Sequence, residues 1–309
     1  MSSRQVPHKF VQVVIQPRDL HVFNALFVHR YLSVRHLHAL VFRDQTRRVV
    51  QARLRRLWAA GFLSRRVNVR EDWARPGLRP PTEYLYALAI AGARQLADSL
   101  QCPLGDIPHT DAQNRRGFVT LQHHLVVTDF MVALSAALTN NPATSVTLAG
   151  LEREHELRVR LGAHAMHAVV PRPWLIPDGV VHLRLRDGDA PVTFYVEVVR
   201  SLPVGGRAAV YDKLARYIDA LTRATMPSVW SHKRVAAVLI VAPTVERAER
   251  LRTLAERLDR CRDRFWFAPY LAPTAGGSIT SAFCRETVLD DCWCDGDGAL
   301  RSLLRPLHT

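Results

Sequence analysis

Two acidic side chains stand where strand geometry would bring them together. Asp178 follows Pro177 at the head of the apolar run GVVHLRL, and Glu197 lies within the run VTFYVEVV. Carboxylates at adjacent positions on neighbouring strands form a hard oxygen site of the kind that holds Mg2+ against a phosphodiester. Glu152 and Glu154, just upstream, are candidates for a third carboxylate. The alternative for the pair is a turn cap and a surface strand acid. That is harder to accept for Glu197, whose neighbours Val196, Val198 and Val199 read as buried. A second set of chemically able residues lies in RDQTRRVVQARLRRLW, from Arg43 to Trp58. Arg48, Gln51 and Arg55 recur at i, i+3 and i+7, flanked by Arg43, Thr46, Arg47 and Arg56. An Arg fork matches guanine O6 and N7, and a Gln amide matches adenine N6 and N7. For an isolated segment, a solvated basic helix face would be the simpler reading.

The elements that must hold this second set favour the base-reading role. Val50, Leu54, Leu57 and Trp58 form the opposite, apolar stripe of the same helix. Upstream, Leu20, Phe23, Leu26, Phe27 and Tyr31 mark one helix, and Ser33 caps a short second one through Leu37, Leu40 and Val41. Downstream, Gly61 ends the third helix. FLSRRVNV and YLYALA then read as strands around the Arg- and Pro-rich loop REDWARPGLRPPT, and a helix follows from Ile90 to Leu100. Helix, helix, helix, strand, basic loop, strand is the order of a winged helix-turn-helix. Arg65, Arg66, Arg70, Arg75 and Arg79 are placed on or beside the wing, and Arg65, Arg66 and Arg70 are expected to hold phosphates.

The second carboxylate-bearing stretch calls for a different architecture. A long helix from Phe118 to Leu138 precedes strand-like runs at 146–148, 154–159, 180–185 and 192–199. Helix Ala208–Ala224, strand Val235–Val241, helix Val245–Asp259 and strand FWFAP follow. Such an order gives a mixed sheet flanked by helices. The expected organisation is therefore α/β (α+β): residues 1–100 a DNA-binding winged helix-turn-helix, 101–117 a linker, 118–272 the α/β domain and 273–309 a C-terminal extension.

Composition bounds the partners. Of 14 net positive charges in 309 residues, 11 fall in residues 1–100, which hold 17 Lys or Arg against 6 Asp or Glu. A basic domain beside a near-neutral one points to a polyanion, double-stranded DNA, meeting the first. Without an evident eighteen-residue apolar run or leader pattern, the expected location is the bacterial cytoplasm, on nucleoid or plasmid, with no membrane partner. Cys102, Cys261, Cys284, Cys292 and Cys294 are an odd number, scattered, and read as free thiols rather than as a zinc knuckle. His164 and His167 beside Met166 read as exposed loop residues.

IPDGVV followed by FYVEVV resembles the PD-(D/E)XK nuclease pattern, in which the strand acid is followed two residues later by a lysine that orients the attacking water. Here that position is Val199, which can neither polarise water nor offset phosphate charge. Lys213 in YDKLARY is the helix-borne candidate for the missing cation. The winged-helix order, LQHHLVVTDF, IPDGVV, FYVEVV and DKLARY together resemble the replication-relaxation family of plasmid and mobile-element proteins, over most of residues 18–242. In that family a strand glutamate in an E-V-D context precedes a helix with Lys and Tyr. Glu197, Lys213 and Tyr217 match it, and Val199 replaces the Asp.

The resemblance implies a DNA-binding protein of mobile genetic elements, associated with plasmid replication and relaxation, and does not establish catalysis; Val199 at the lysine position is what favours a nuclease-like domain that does not cut. The alternative is a Mg2+-dependent endonuclease or nickase using Asp178, Glu197 and Lys213. A third reading gives the second domain to dimerisation, or to docking on other plasmid-replication or transfer proteins. Because the charge is concentrated in one domain, duplex affinity should fall by about 0.9 log units per tenfold rise in salt for each phosphate contacted. A salt titration of binding checks this, and a flat response would remove the basic domain from the interface.

Overall fold

The computed structural model describes residues 12–69, 82–109, 118–140, 146–154, 156–157, 175–185, 190–199, 206–222, 235–258, 260–273, 279–281, 288–289 and 292–303. Arg70, Arg75 and Arg79, the His164–His167 stretch, Cys284 and residues 110–117 of the expected linker lie outside them. The chain divides into two compact units, Met1–Val132 and Ala133–Thr309. Together they make a mixed α/β protein.

The first unit contains α1 (Pro17–His29), β1 (Leu32–Ser33), α2 (Val34–Leu40), α3 (Arg47–Ala59), β2 (Leu63–Val69), β3 (Thr82–Leu88) and α4 (Ile90–Leu100). It also takes in the first part of α5 (Phe118–Asn140), the helix within which the division falls. The three strands form an antiparallel sheet in the order β1-β3-β2. Val22, Phe23, Leu26, Leu37, Val50, Leu54, Leu57 and Leu88 make its core, each at most 1% exposed.

Local chemistry sets the helix ends. Ser33 caps α2 by accepting from His36 N–H, as expected. After α3, Gly61 takes φ +79°, and the amides of Gly61 and Phe62 reach back to Trp58 O and Leu57 O. This left-handed closure suits glycine. The helix begins at Arg47 rather than at Arg43, because Phe42 is in the core and Arg43 Nε instead donates to Ala39 O, at the end of α2.

Helix α5 supplies buried polar groups to this unit. His124 Nε2 meets His29 O at 2.8 Å, Gln122 Nε2 donates to Asn68 Oδ1 at 3.2 Å, and Asp129 Oδ1 accepts from Arg35 at 2.5 Å and from His36 Nε2 at 2.6 Å. Ser33 N–H donates to His36 Nδ1 at 3.2 Å, which leaves the ring proton on Nε2 and the imidazole neutral. No eighteen-residue apolar run is evident in the sequence. Yet Thr120–Thr139 is long and apolar enough to qualify as one, and 89% of its most apolar window is buried in protein. Its His and Asp residues conceal the run from inspection.

The second unit is built on a seven-stranded sheet, order β12-β11-β8-β7-β6-β5-β4. Its strands are β4 (Val146–Arg153), β5 (Gly179–Leu185), β6 (Val192–Val198), β7 (Val235–Ala242), β8 (Phe265–Pro269), β11 (Trp293–Asp295) and β12 (Leu300–Arg301). β9 (Leu271–Pro273) and β10 (Ile279–Ser281) form a separate hairpin. β6, β7 and β8 run parallel and the outer pairs are antiparallel. Parallel neighbours require crossovers. α6 (Gly206–Thr222) lies between β6 and β7 in the chain, and α7 (Val245–Ala255) between β7 and β8.

One sheet face, with Val180, Tyr195, Val238, Ile240, Phe265 and Phe267, is buried with Leu214 and Tyr217 of α6 and Leu251 of α7. Two expectations change here. Glu154, Glu156 and Leu157 are helical rather than a strand at 154–159. The C-terminal segment, unread in the sequence, adds β11 and β12 to the sheet, where Asp295, fully buried, accepts from Arg301 and from two backbone amides of the turn.

Burial and the adjacent Arg35 hold the His36 imidazole below its ordinary pKa of 6.5, against the pull of Asp129. A depressed imidazole contributes stability that is present above the unfolded value of 6.5 and is lost as pH falls through the lower folded value. The thermal midpoint of the full chain should therefore drop in this window more steeply than that of His36→Gln. Parallel pH profiles for parent and variant would exclude this role.

Candidate functional site

Side chains of α3 sort into three directions. Val50, Leu54 and Leu57 are completely buried. Arg53 turns inward, where its Nε donates to Asp19 Oδ1 at 2.9 Å and its Nη2 to Asp19 Oδ2 and, at 2.9 Å, to Val14 O. Arg47, Arg48, Val49, Gln51, Ala52, Arg55 and Arg56 are exposed. No acid sits in the first turn of α3, and the N-capping Thr46 makes no side-chain cap. The helix start is thus electropositive from both its dipole and its arginines.

Arg65 and Arg66, expected as phosphate contacts on β2, are stacked. The Arg65 guanidinium lies 3.7 Å from the Trp58 ring centroid and 4.3 Å from that of Tyr84, and Arg66 lies 4.7 Å from Tyr31. Stacking on aromatic faces fixes the guanidinium planes. Arg43 is half-buried against Ala39 O and stands apart from the outward stripe. Sequence spacing left Arg53 out of the outward set without identifying its partner 34 residues away, and placed Arg65 among the phosphate contacts without its stacking partners Trp58 on α3 and Tyr84 on β3.

The acidic candidates in the second unit do come together. Gly179 pairs with Val196, so the next step along this antiparallel register sets Asp178 across from Glu197. Asp178 Oδ2 accepts from Val198 N at 2.8 Å. Glu197 is 4% exposed, on the same sheet face as Tyr195. From α6, Lys213 Nζ donates to Glu197 Oε1 and Tyr217 OH donates to Oε2 at 2.8 Å. Lys213 and Tyr217 are one helical turn apart, so one face of α6 supplies both donors. Val199, at the position that lacks a lysine, packs against the apolar core.

Burial, then the neighbouring Asp178 charge, pushes the Glu197 carboxyl from 4.5 up to about 7, against the pull of Lys213. Burial alone would lower the Lys213 ammonium. Attraction by Glu197 and Asp178 outweighs it and leaves the ammonium above its usual range. The ammonium is therefore the settled charge, and Glu197 is the group whose proton is in play. With both carboxylates ionised, one cation faces two anions.

Glu152, a candidate third carboxylate, is engaged elsewhere. Its Oε1 is 2.6 Å from His182 Nε2, and His182 Nδ1 is 3.0 Å from Thr193 Oγ1. Glu154 donates its amide to Asp178 O. Among the described residues, no group of three or more His, Cys, Asp or Glu side chains is arranged to hold a metal. Tyr217, marked in the sequence only by the family resemblance, is a direct hydrogen-bond donor to Glu197.

A model of the replication-relaxation family matches residues 23–228, two thirds of the chain, from α1 through α6 and beyond. No curated protein and no solved structure was found to match the chain.

In a carboxyl-detected NMR titration Glu197 should titrate near pH 7. Lys213→Met removes an attractive charge and should move that midpoint up, whereas Asp178→Asn removes a repulsive one and should move it down. A midpoint at the ordinary 4.5, or shifts of the same sign in both variants, would contradict the electrostatic description.

Proposed function

The chain belongs to the replication-relaxation family, and on that premise we propose that it is a sequence-specific double-stranded DNA-binding protein of a plasmid or integrative mobile element. It acts there as an accessory factor or regulator of replication, relaxation or transfer. The observation that carries this reading is α3, whose one face is wholly buried while the other exposes Arg47, Arg48, Gln51, Arg55 and Arg56 with no acid among them. In this reading α1 to β3 form a winged helix-turn-helix. α3 enters the major groove, Arg48, Gln51 and Arg55 meet base edges, and the stacked Arg65 and Arg66, with Arg70, meet phosphates.

For the second unit we propose a PD-(D/E)XK-like scaffold that does not cut. Both oxygens of Glu197 and one of Asp178 are taken by protein donors. One observation favours the opposite reading, a metal-dependent endonuclease or nickase: Lys213 reaches Glu197 from α6 and restores the cation that Val199 cannot supply. Asp178 and Glu197 would then hold Mg2+, which would neutralise charge developing on the phosphate, while Lys213 would orient water.

If Arg55 makes a bidentate base contact, Arg55→Ala should cost about 1–3 kcal/mol on a selected duplex and relax its sequence preference. Anisotropy titrations on the selected and a scrambled site measure both, and unchanged affinity and selectivity would remove α3 from the reading role. Incubating supercoiled plasmid with the chain and Mg2+ or Mn2+ separates the two views of the second unit. Nicking that disappears in Glu197→Ala would establish the nuclease, and intact plasmid across several substrates favours the scaffold.

A further inference from the structure

The exposed face of α3 is not uniformly polar. Val49 stands 49% exposed within it, beside Arg48 and one turn from Ala52, which is also exposed. Val50, its neighbour, is fully buried, so the core is served without Val49. A β-branched residue is a weaker helix former than Ala, Lys or Arg, and in the first turn it provides neither cap nor favourable charge. Half of its surface stays in solvent while the core beneath is filled by Val50, Leu54 and Leu57.

What valine does offer at that position is a stiff apolar knob. In a helix χ1 of Val is held almost entirely in one rotamer, so both methyls occupy a fixed place and little side-chain entropy is lost on contact. The major groove presents donors and acceptors from every base pair but one apolar feature, the C5-methyl group of thymine. N-terminal residues of a recognition helix are the ones that reach base edges.

We propose that Val49 is a specificity-determining residue that reads a thymine methyl, in a site whose neighbouring base is read by Arg48. The inference rests on α3 being the base-reading helix, and it adds a base identity that the arginines and Gln51 do not specify. Ala52, small and outward, lets the helix backbone approach the groove floor beside it.

The test separates this inference from the reading beneath it. Duplexes are selected from a random pool with the full chain, and each thymine of the selected site is replaced in turn by deoxyuridine, which removes the methyl and leaves all hydrogen bonds. At one thymine the parent should lose about fourfold in affinity, the worth of one buried methyl. Val49→Ala, an exposed helical change that keeps the fold, should bind the thymine and deoxyuridine sites equally. A parent indifferent to deoxyuridine at every position, or a Val49→Ala chain as methyl-sensitive as the parent, overturns the role of Val49 while duplex recognition stands. Failure to enrich any duplex overturns the α3 reading itself.

Discussion

A carboxylate buried in a strand of valines must be given donors or be protonated, and the second unit is arranged around that requirement. Glu197 lies at 4% exposure between Val196 and Val198, where an ionised group without partners would cost several kcal/mol. The parallel pairing of β6 and β7 demands a crossover, and α6 is that crossover. Its turn-spaced Lys213 and Tyr217 donate to the two oxygens of the carboxylate, while Val210, Leu214 and the Tyr217 ring bury its apolar side on the sheet. The same contacts that seat the helix therefore set the charge state of the acid. Asp178, pinned through Val198 N, leaves the cluster one negative charge in excess when Glu197 ionises.

The first unit faces the converse problem, an excess of cations. It sorts its arginines by partner. Arg53 is consumed by Asp19 and Val14 O and Arg35 by the Asp129 that also holds His36, whereas Arg65 is held in place by the rings of Trp58 and Tyr84. What remains outward on α3 is a short stripe of five polar residues and Val49, on which the proposed reading of base edges rests. Arg53 and Gln51 are two positions apart on one helix, and only packing distinguishes a structural guanidinium from an available side chain.

Much of this organisation was legible before any coordinates. The apolar spacing of Val50, Leu54 and Leu57, the Ser33 cap, Gly61 after α3, and the alternating runs of β5 and β6 are local signals, and each appears as read. The pairing of Asp178 with Glu197 was also accessible, since a strand head followed by a hairpin leaves few registers. Glu154 misled because acids alternating with apolar residues suit an exposed strand as well as a helical turn. The last strands, three and two residues long, carry no periodicity to detect, and Asp295 acts through a buried turn rather than a motif.

The sequence by itself determined which residues are apolar at helical or strand spacing, that Ser33 opens one helix and Gly61 closes another, and that 11 of the 14 net positive charges fall in the first hundred residues. These follow from interactions within one or two turns of chain. Only the tertiary structure decided that Glu152 belongs to His182 rather than to the acidic pair, that Lys213 and Tyr217 share Glu197, that Arg65 is stacked, and that Val49 faces outward. Those are choices among chemically equivalent partners. They are settled by which side chains packing brings within a few ångströms across tens of residues of sequence.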